Sequence, residues 1–179
     1  LYDSQAHPER AGYSFNYCTH NDGLQIWGGG TQSNVTIEDS VIGPYTQQGL
    51  MLGDTNATVN QVTIKNSLFI NATDNNLIHD ARHAPAGWTI SNVTSYMTTK
   101  PINAKVGHCG LSLAGSGHSI TRSIFSGGCI DLPSWSGSAN DNLMFETDEN
   151  IAGFAMTDPQ FSGPLPSSNQ PTFQELVNA

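Results

Sequence analysis

The densest group of titratable side chains in the sequence is His79-Asp80-Ala81-Arg82-His83. Taking a proton from a carbon beside a substrate carboxylate needs a base, a cation to neutralise that carboxylate, and an acid for the leaving oxygen. Arg82 can neutralise, His83 or Lys105 can take the proton, and Asp80 can orient a histidine or hold a cation. The competing reading of this segment is a turn ion pair between Asp80 and Arg82, and alternation places His79 inward as a buried, hydrogen-bonded histidine. A second group is His20 and Asp22, two residues apart and so on one face of an extended segment, with Gln48 and His108 at nearby positions elsewhere in the chain. Such a set serves as an acid/base cluster, as a patch that hydrogen-bonds hydroxyl groups together with Gln25, or as an internal polar ladder. Trp27 is either a platform for a ligand ring or core packing against a turn. Asp22 and Asp54 are candidates for a carboxylate pair.

These residues are positioned by a repeat. The phrases Val35-Thr36-Ile37, Val62-Thr63-Ile64, Trp88-Thr89-Ile90 and His118-Ser119-Ile120 recur with their isoleucines 27, 26 and 30 residues apart. A second phrase recurs at a nearly fixed lag, in Gly23-Leu24-Gln25-Ile26, Gly49-Leu50-Met51-Leu52, Asn76-Leu77-Ile78-His79, Gly110-Leu111-Ser112-Leu113 and Cys129-Ile130-Asp131-Leu132. Two interleaved strand columns at one period predict a solenoid whose neighbouring coils bury each other's apolar faces. If Leu24, Leu50, Leu77, Leu111 and Ile130 stack inward, the outward column reads Gln25, Met51, Ile78, Ser112 and Asp131, which is too mixed for a catalytic stripe. Glu38 and Lys65 fall at the same place in successive repeats, which makes Lys65 a surface partner rather than a catalyst.

The chain has 179 residues, 37% hydrophobic and 12% charged, with 18 Gly; one elongated all-β domain accommodates this composition. Six Lys plus Arg stand against 15 Asp plus Glu, and the net charge of -9 argues against a phosphate-binding surface and hence against nucleic acid. The acidic balance is either plain solubility or carboxylates that hold Ca²⁺, with Asp54 and Asp80 as ligands assembled from different repeats. No apolar run is long enough to span a membrane. Cys109 and Cys129 lie in the second strand column of successive repeats, so a bridge and two buried thiols are both open, with Cys18 left over. The sequons at Asn34, Asn56, Asn71 and Asn92 are read first as turn residues.

Over about residues 15 to 133, the repeated Val-Thr-Ile phrase and His20-Asn21-Asp22-Gly23-Leu24-Gln25 make the chain resemble the right-handed parallel β-helix proteins of the pectate-lyase-like family. The resemblance implies about five coils over residues 1–133 and an irregular capping or flanking segment over residues 134–179. It also implies a secreted, cell-surface or virion-associated protein that meets a polysaccharide. Under it the chemistry becomes that of a lyase on an acidic glycan, with Arg82, His83, Lys105 and His108 catalytic, and His20, Asp22, Gln25, Trp27 and Gln48 binding substrate. A glycoside hydrolase and a non-catalytic glycan-binding module of a phage tail or adhesin stand beside it. The first strand phrase has no repeat before it, so the expectation is that an upstream segment, a second chain or a symmetry mate covers that end.

Overall fold

A computed structural model describes residues 23–26, 29–43, 48–53, 56–70, 78–80, 83–97, 109–145 and 151–158. The described residues form strands and no helix, and every strand pairing is parallel. A five-stranded sheet runs in the order β1 (Leu24–Ile26), β5 (Leu50–Leu52), β8 (Ile78–His79), β10 (Cys109–Ser112) and β13 (Cys129–Asp131). A nine-stranded sheet contains β3 (Thr36–Glu38), β4 (Val41–Ile42), β7 (Thr63–Ile70), β9 (Thr89–Tyr96), β11 (Ser116–Thr121), β12 (Ile124–Ser126), β14 (Ser136–Asn140), β15 (Asn142–Phe145) and β16 (Phe154–Met156). The pair β2 (Gly30–Ser33) and β6 (Ala57–Asn60) makes a third, two-stranded sheet.

Alternation along the strands builds the core. Ile37, Ile64, Ile90, Ile120 and Ala139 are successive register partners in the nine-stranded sheet, and Ile64, Ile90 and Ile120 are fully buried. Beyond the corner, Ile42, Phe69, Ser95, Phe125 and Met144 form a second inward column. Leu50, Ile78, Leu111 and Ile130 face them from the five-stranded sheet, each with no exposed surface. Burying one such side chain contributes about 1.5–3 kcal/mol, and here each contact joins residues far apart in sequence.

The corner between the two inward columns of the nine-stranded sheet explains the residues that follow each isoleucine. Asp39, Asn66, Asn92, Arg122 and Asp141 all have left-handed backbone, with φ between 49° and 57°. Asn and Asp tolerate this conformation better than most residues. Their side chains form a ladder on the outside: Asn66 Nδ2 donates to Asp39 Oδ1 (3.1 Å), Asn92 Nδ2 to Asn66 Oδ1 (3.2 Å), and Arg122 Nε to Asn92 Oδ1 (3.0 Å). The next residue turns inward. Ser67 Oγ accepts from Ser40 N–H, Ser123 Oγ accepts from Val93 N–H, and Asn142 Oδ1 accepts from Ser123 N–H.

Three sequence expectations change here. Leu50 pairs with Ile78, so Ile78 is the inward residue and His79 takes the outward place opposite Met51. Two adjacent apolar residues, Leu77 and Ile78, left the phase of that repeat ambiguous, and a slip of one residue exchanges the faces. Strands β14, β15 and β16 continue the pairing past residue 133, where the sequence suggests irregular chain. The segment Ser136–Asn140 is polar and largely exposed, so it carries no apolar signal. Cys109 and Cys129 form a disulfide, which resolves the choice between a bridge and two thiols. Among the described residues no helix is long and apolar enough to cross a membrane.

Candidate functional site

The corrected register turns the outward column of the five-stranded sheet into Gln25, Met51, His79, Ser112 and Asp131, one residue per strand. Strands in a sheet lie about 4.8 Å apart, so the column repeats a ligating group at that interval. Two neighbouring pairs of the column are hydrogen-bonded. Gln25 Nε2 donates to Met51 Sδ at 3.4 Å, and Ser112 Oγ donates to Asp131 Oδ2 at 3.3 Å. Behind the column, Gln48 is buried and its Oε1 lies 3.4 Å from His79 Nδ1. Gln25, Met51, His79 and Asp131 are half-buried, and Ser112 is fully buried. Ser112 stands between His79 and Asp131, so this is not the arrangement in which a histidine bridges a serine and a carboxylate to activate the hydroxyl. It is a row of donors and acceptors able to bind hydroxyl groups.

A second polar set lies inside. Asp80 is 1% exposed, and its Oδ2 accepts the Ala114 N–H at 2.7 Å. Ala114 O lies 3.0 Å from His118 Nε2, and Trp88 N–H donates to His118 Nδ1 at 3.1 Å. An Nδ1 that accepts fixes the neutral tautomer, with the proton on Nε2 donated to Ala114 O. Burial pushes the His118 imidazole below its usual range, and the Ala114 carbonyl partly offsets this. The ring stacks on Trp135, with centroids 6.4 Å apart and planes at 17°. This chain of bonds crosses the interior and ties the two large sheets together.

Of the residues proposed from sequence, Gln25 and Gln48 belong to the outward column and its backing. Asp80, read from sequence as a cation ligand, is buried and its Oδ2 accepts the Ala114 amide. His83 follows in a turn, its N–H donating to Asp80 O at 3.5 Å. Arg82, Lys105, His108, His20, Asp22, Trp27 and Asp54 lie outside the described residues. Among the described residues no group of three or more His, Cys, Asp or Glu side chains is gathered as for a metal ion. His79, read from sequence as a buried inward residue, is instead half-buried in the outward column. In the sequence Ser112 and Asp131 already fall in the outward column, but the mistaken phase puts Ile78 there in place of His79 and makes the column too mixed for a site. Pairing Leu50 with Ile78 is the signal that would have found His79.

No family model, curated protein or solved structure matches the chain.

Proposed function

We propose that this chain is a right-handed parallel β-helix protein that binds a polysaccharide along the outward face of its five-stranded sheet. The coil reading is supported by parallel pairing between segments 26, 27 and 30 residues apart in the isoleucine column. The observation that carries the ligand is the column Gln25, Met51, His79, Ser112 and Asp131. Its groups repeat at the strand spacing, which is about the length of one sugar ring; a glycan lying across the strands meets the half-buried Gln25, His79 and Asp131, while the buried Ser112 holds Asp131 from within the sheet. Met51 offers an apolar surface to the face of a ring.

The reading favours a ligand whose hydroxyl groups are recognised, over lyase chemistry on a uronate. The described cations are Lys65, in β7, where it meets Glu38 at 2.6 Å, and Arg122, at the corner between β11 and β12, where it donates to Asn92. Neither stands in the column, where Asp131 repels a carboxylate. The lyase reading rests on Arg82, His83, Lys105 and His108. The Cys109–Cys129 bridge supports a protein resident in an oxidising compartment, at a cell or virion surface or secreted.

The test is affinity electrophoresis of the chain against a panel of neutral and acidic polysaccharides, followed by isothermal titration with the best ligand. His79→Ala and Asp131→Ala should each weaken binding about fivefold, the worth of about one hydrogen bond. No retardation by any member of the panel refutes the proposal. Growth of the unsaturated-uronate absorbance during incubation with an acidic glycan would instead establish the lyase.

A further inference from the structure

Four residues of β10, Cys109, Gly110, Leu111 and Ser112, stand against three of β13, Cys129, Ile130 and Asp131. The register runs Cys109 with Cys129, Leu111 with Ile130 and Ser112 with Asp131, which leaves Gly110 as the extra residue of a bulge. Leu111 is fully buried. A Cβ at Gly110 would lie 2.9 Å from Ser95 Oγ on β9, in the other large sheet. Positions 110 and 111 therefore both point inward. The strand accommodates this because residue 110 has no side chain, and Ser95 Oγ donates to the Gly110 carbonyl at 3.0 Å.

A straight ladder is also compatible with the apolar pattern. It keeps Leu111 with Ile130 and Ser112 with Asp131, and brings Gly110 rather than Cys109 opposite Cys129. Gly110 would then face outward like Ser112, away from Ser95. Core packing does not demand the bulge. The need for Cys109 to reach Cys129 does, and the two are bonded.

We infer that the Cys109–Cys129 disulfide holds β10 in a bulged register that straightens by one residue when the bond is reduced, making the bridge a redox-sensitive register switch beside the polar column. The step takes a dithiol reductant. One of its thiolates attacks one cysteine sulfur, and the other cysteine sulfur leaves as thiolate. The second reductant thiol then closes the reductant's own disulfide, so two electrons pass to the protein and two cysteine thiols remain. Ser112 stays opposite Asp131 throughout, so the inference does not depend on what the column binds.

A double-mutant cycle tests it. Gly110→Ala is introduced into the disulfide-bonded chain and into the Cys109→Ala/Cys129→Ala chain, and thermal melts are compared. In the bonded protein the new methyl meets Ser95, and the melting midpoint should fall by about 5 °C. In the unbonded protein, position 110 faces outward, away from Ser95, and the fall should be less than half of that. Equal losses in both backgrounds overturn the inference. Should the unbonded variant not fold, cross-strand amide contacts are measured by NMR in the full chain before and after dithiothreitol, with thiol release followed by alkylation and mass. A Gly110–Cys129 contact appearing on reduction supports the switch. Retention of the Cys109–Cys129 register with free thiols, or a bridge that resists reduction in the folded chain, overturns it.

Discussion

His118 gains its place from two hydrogen bonds and a stacked indole, and one of them, the Trp88 N–H donated to Nδ1, requires the neutral ring. An unfolded histidine titrates near 6.5, whereas burial holds the folded imidazole below that value. Between the lowered folded value and about pH 6.5 the unfolded chain therefore binds the proton that the folded chain excludes. This contribution to stability is complete above about pH 6.5 and is lost as the pH falls through that window. Melting midpoints taken from about pH 8 to about pH 5 should drop on the acid side in the parent chain. His118→Gln keeps an amide oxygen for the Trp88 N–H but cannot titrate, so it should lower the midpoint at all pH values and flatten the acid slope. An undiminished slope in that variant would assign the titration to another group. The Lys65–Glu38 pair offers a contrast. The Glu38 carboxylate raises the Lys65 ammonium above its usual range, yet both side chains are more than two-fifths exposed, and water screens the pair.

At the scale of the element, the corner after each isoleucine is the unit that recurs. At three of the five corners the left-handed residue is followed by an inward hydroxyl or amide, Ser67, Ser123 or Asn142, that accepts a backbone N–H. Ser67 Oγ and Ser123 Oγ in turn donate to the carbonyls of Lys65 and Thr121, two residues earlier. Ser123 is 1% exposed, and removing its hydroxyl strands the buried Val93 N–H. Ser123→Ala should cost about 1–3 kcal/mol by chemical denaturation, whereas Ser40→Ala, at a half-buried corner whose hydroxyl donates to the Glu38 carbonyl, should cost under about 1 kcal/mol. Equal costs would mean that the hydroxyls cap turns rather than join strands. The corners are legible in the sequence because an isoleucine and a serine three residues later appear together in three of the repeats. The bulge at Gly110 is not, since a single glycine in a strand phrase is equally compatible with a straight ladder. The strand Ser136–Asn140 escapes notice because register partners in β11, rather than its own apolar residues, hold it in place.

For the whole molecule, the isoleucine column runs from Ile37 to Ala139 and joins residues that the chain separates by 19 to 30 positions. Parallel pairing over such distances is why periodicity revealed the elements. The site was harder to read: a column of outward residues is correct only if every repeat is phased correctly, and one repeat was not. The intervals between the left-handed corners Asp39, Asn66, Asn92, Arg122 and Asp141 are 27, 26, 30 and 19 residues, while the corner phrase itself keeps one length. Length variation is thus carried by the connections. A six-residue insertion in the exposed turn at Pro133–Ser134 should leave the melting midpoint within about 3 °C of the parent. One residue inserted between Ile120 and Ser123 should abolish the cooperative melt, because it exchanges the faces of everything that follows in that strand. Circular dichroism melts of the two insertions decide this, and similar losses would refute it.

The uneven intervals make the corner ladder a ruler for engineering. Foreign peptides grafted into the connections would be displayed from a frame whose phase is reset at every turn of Asp, Asn or Arg. An error in one graft would then be confined to its own connection and would not propagate along the sheets.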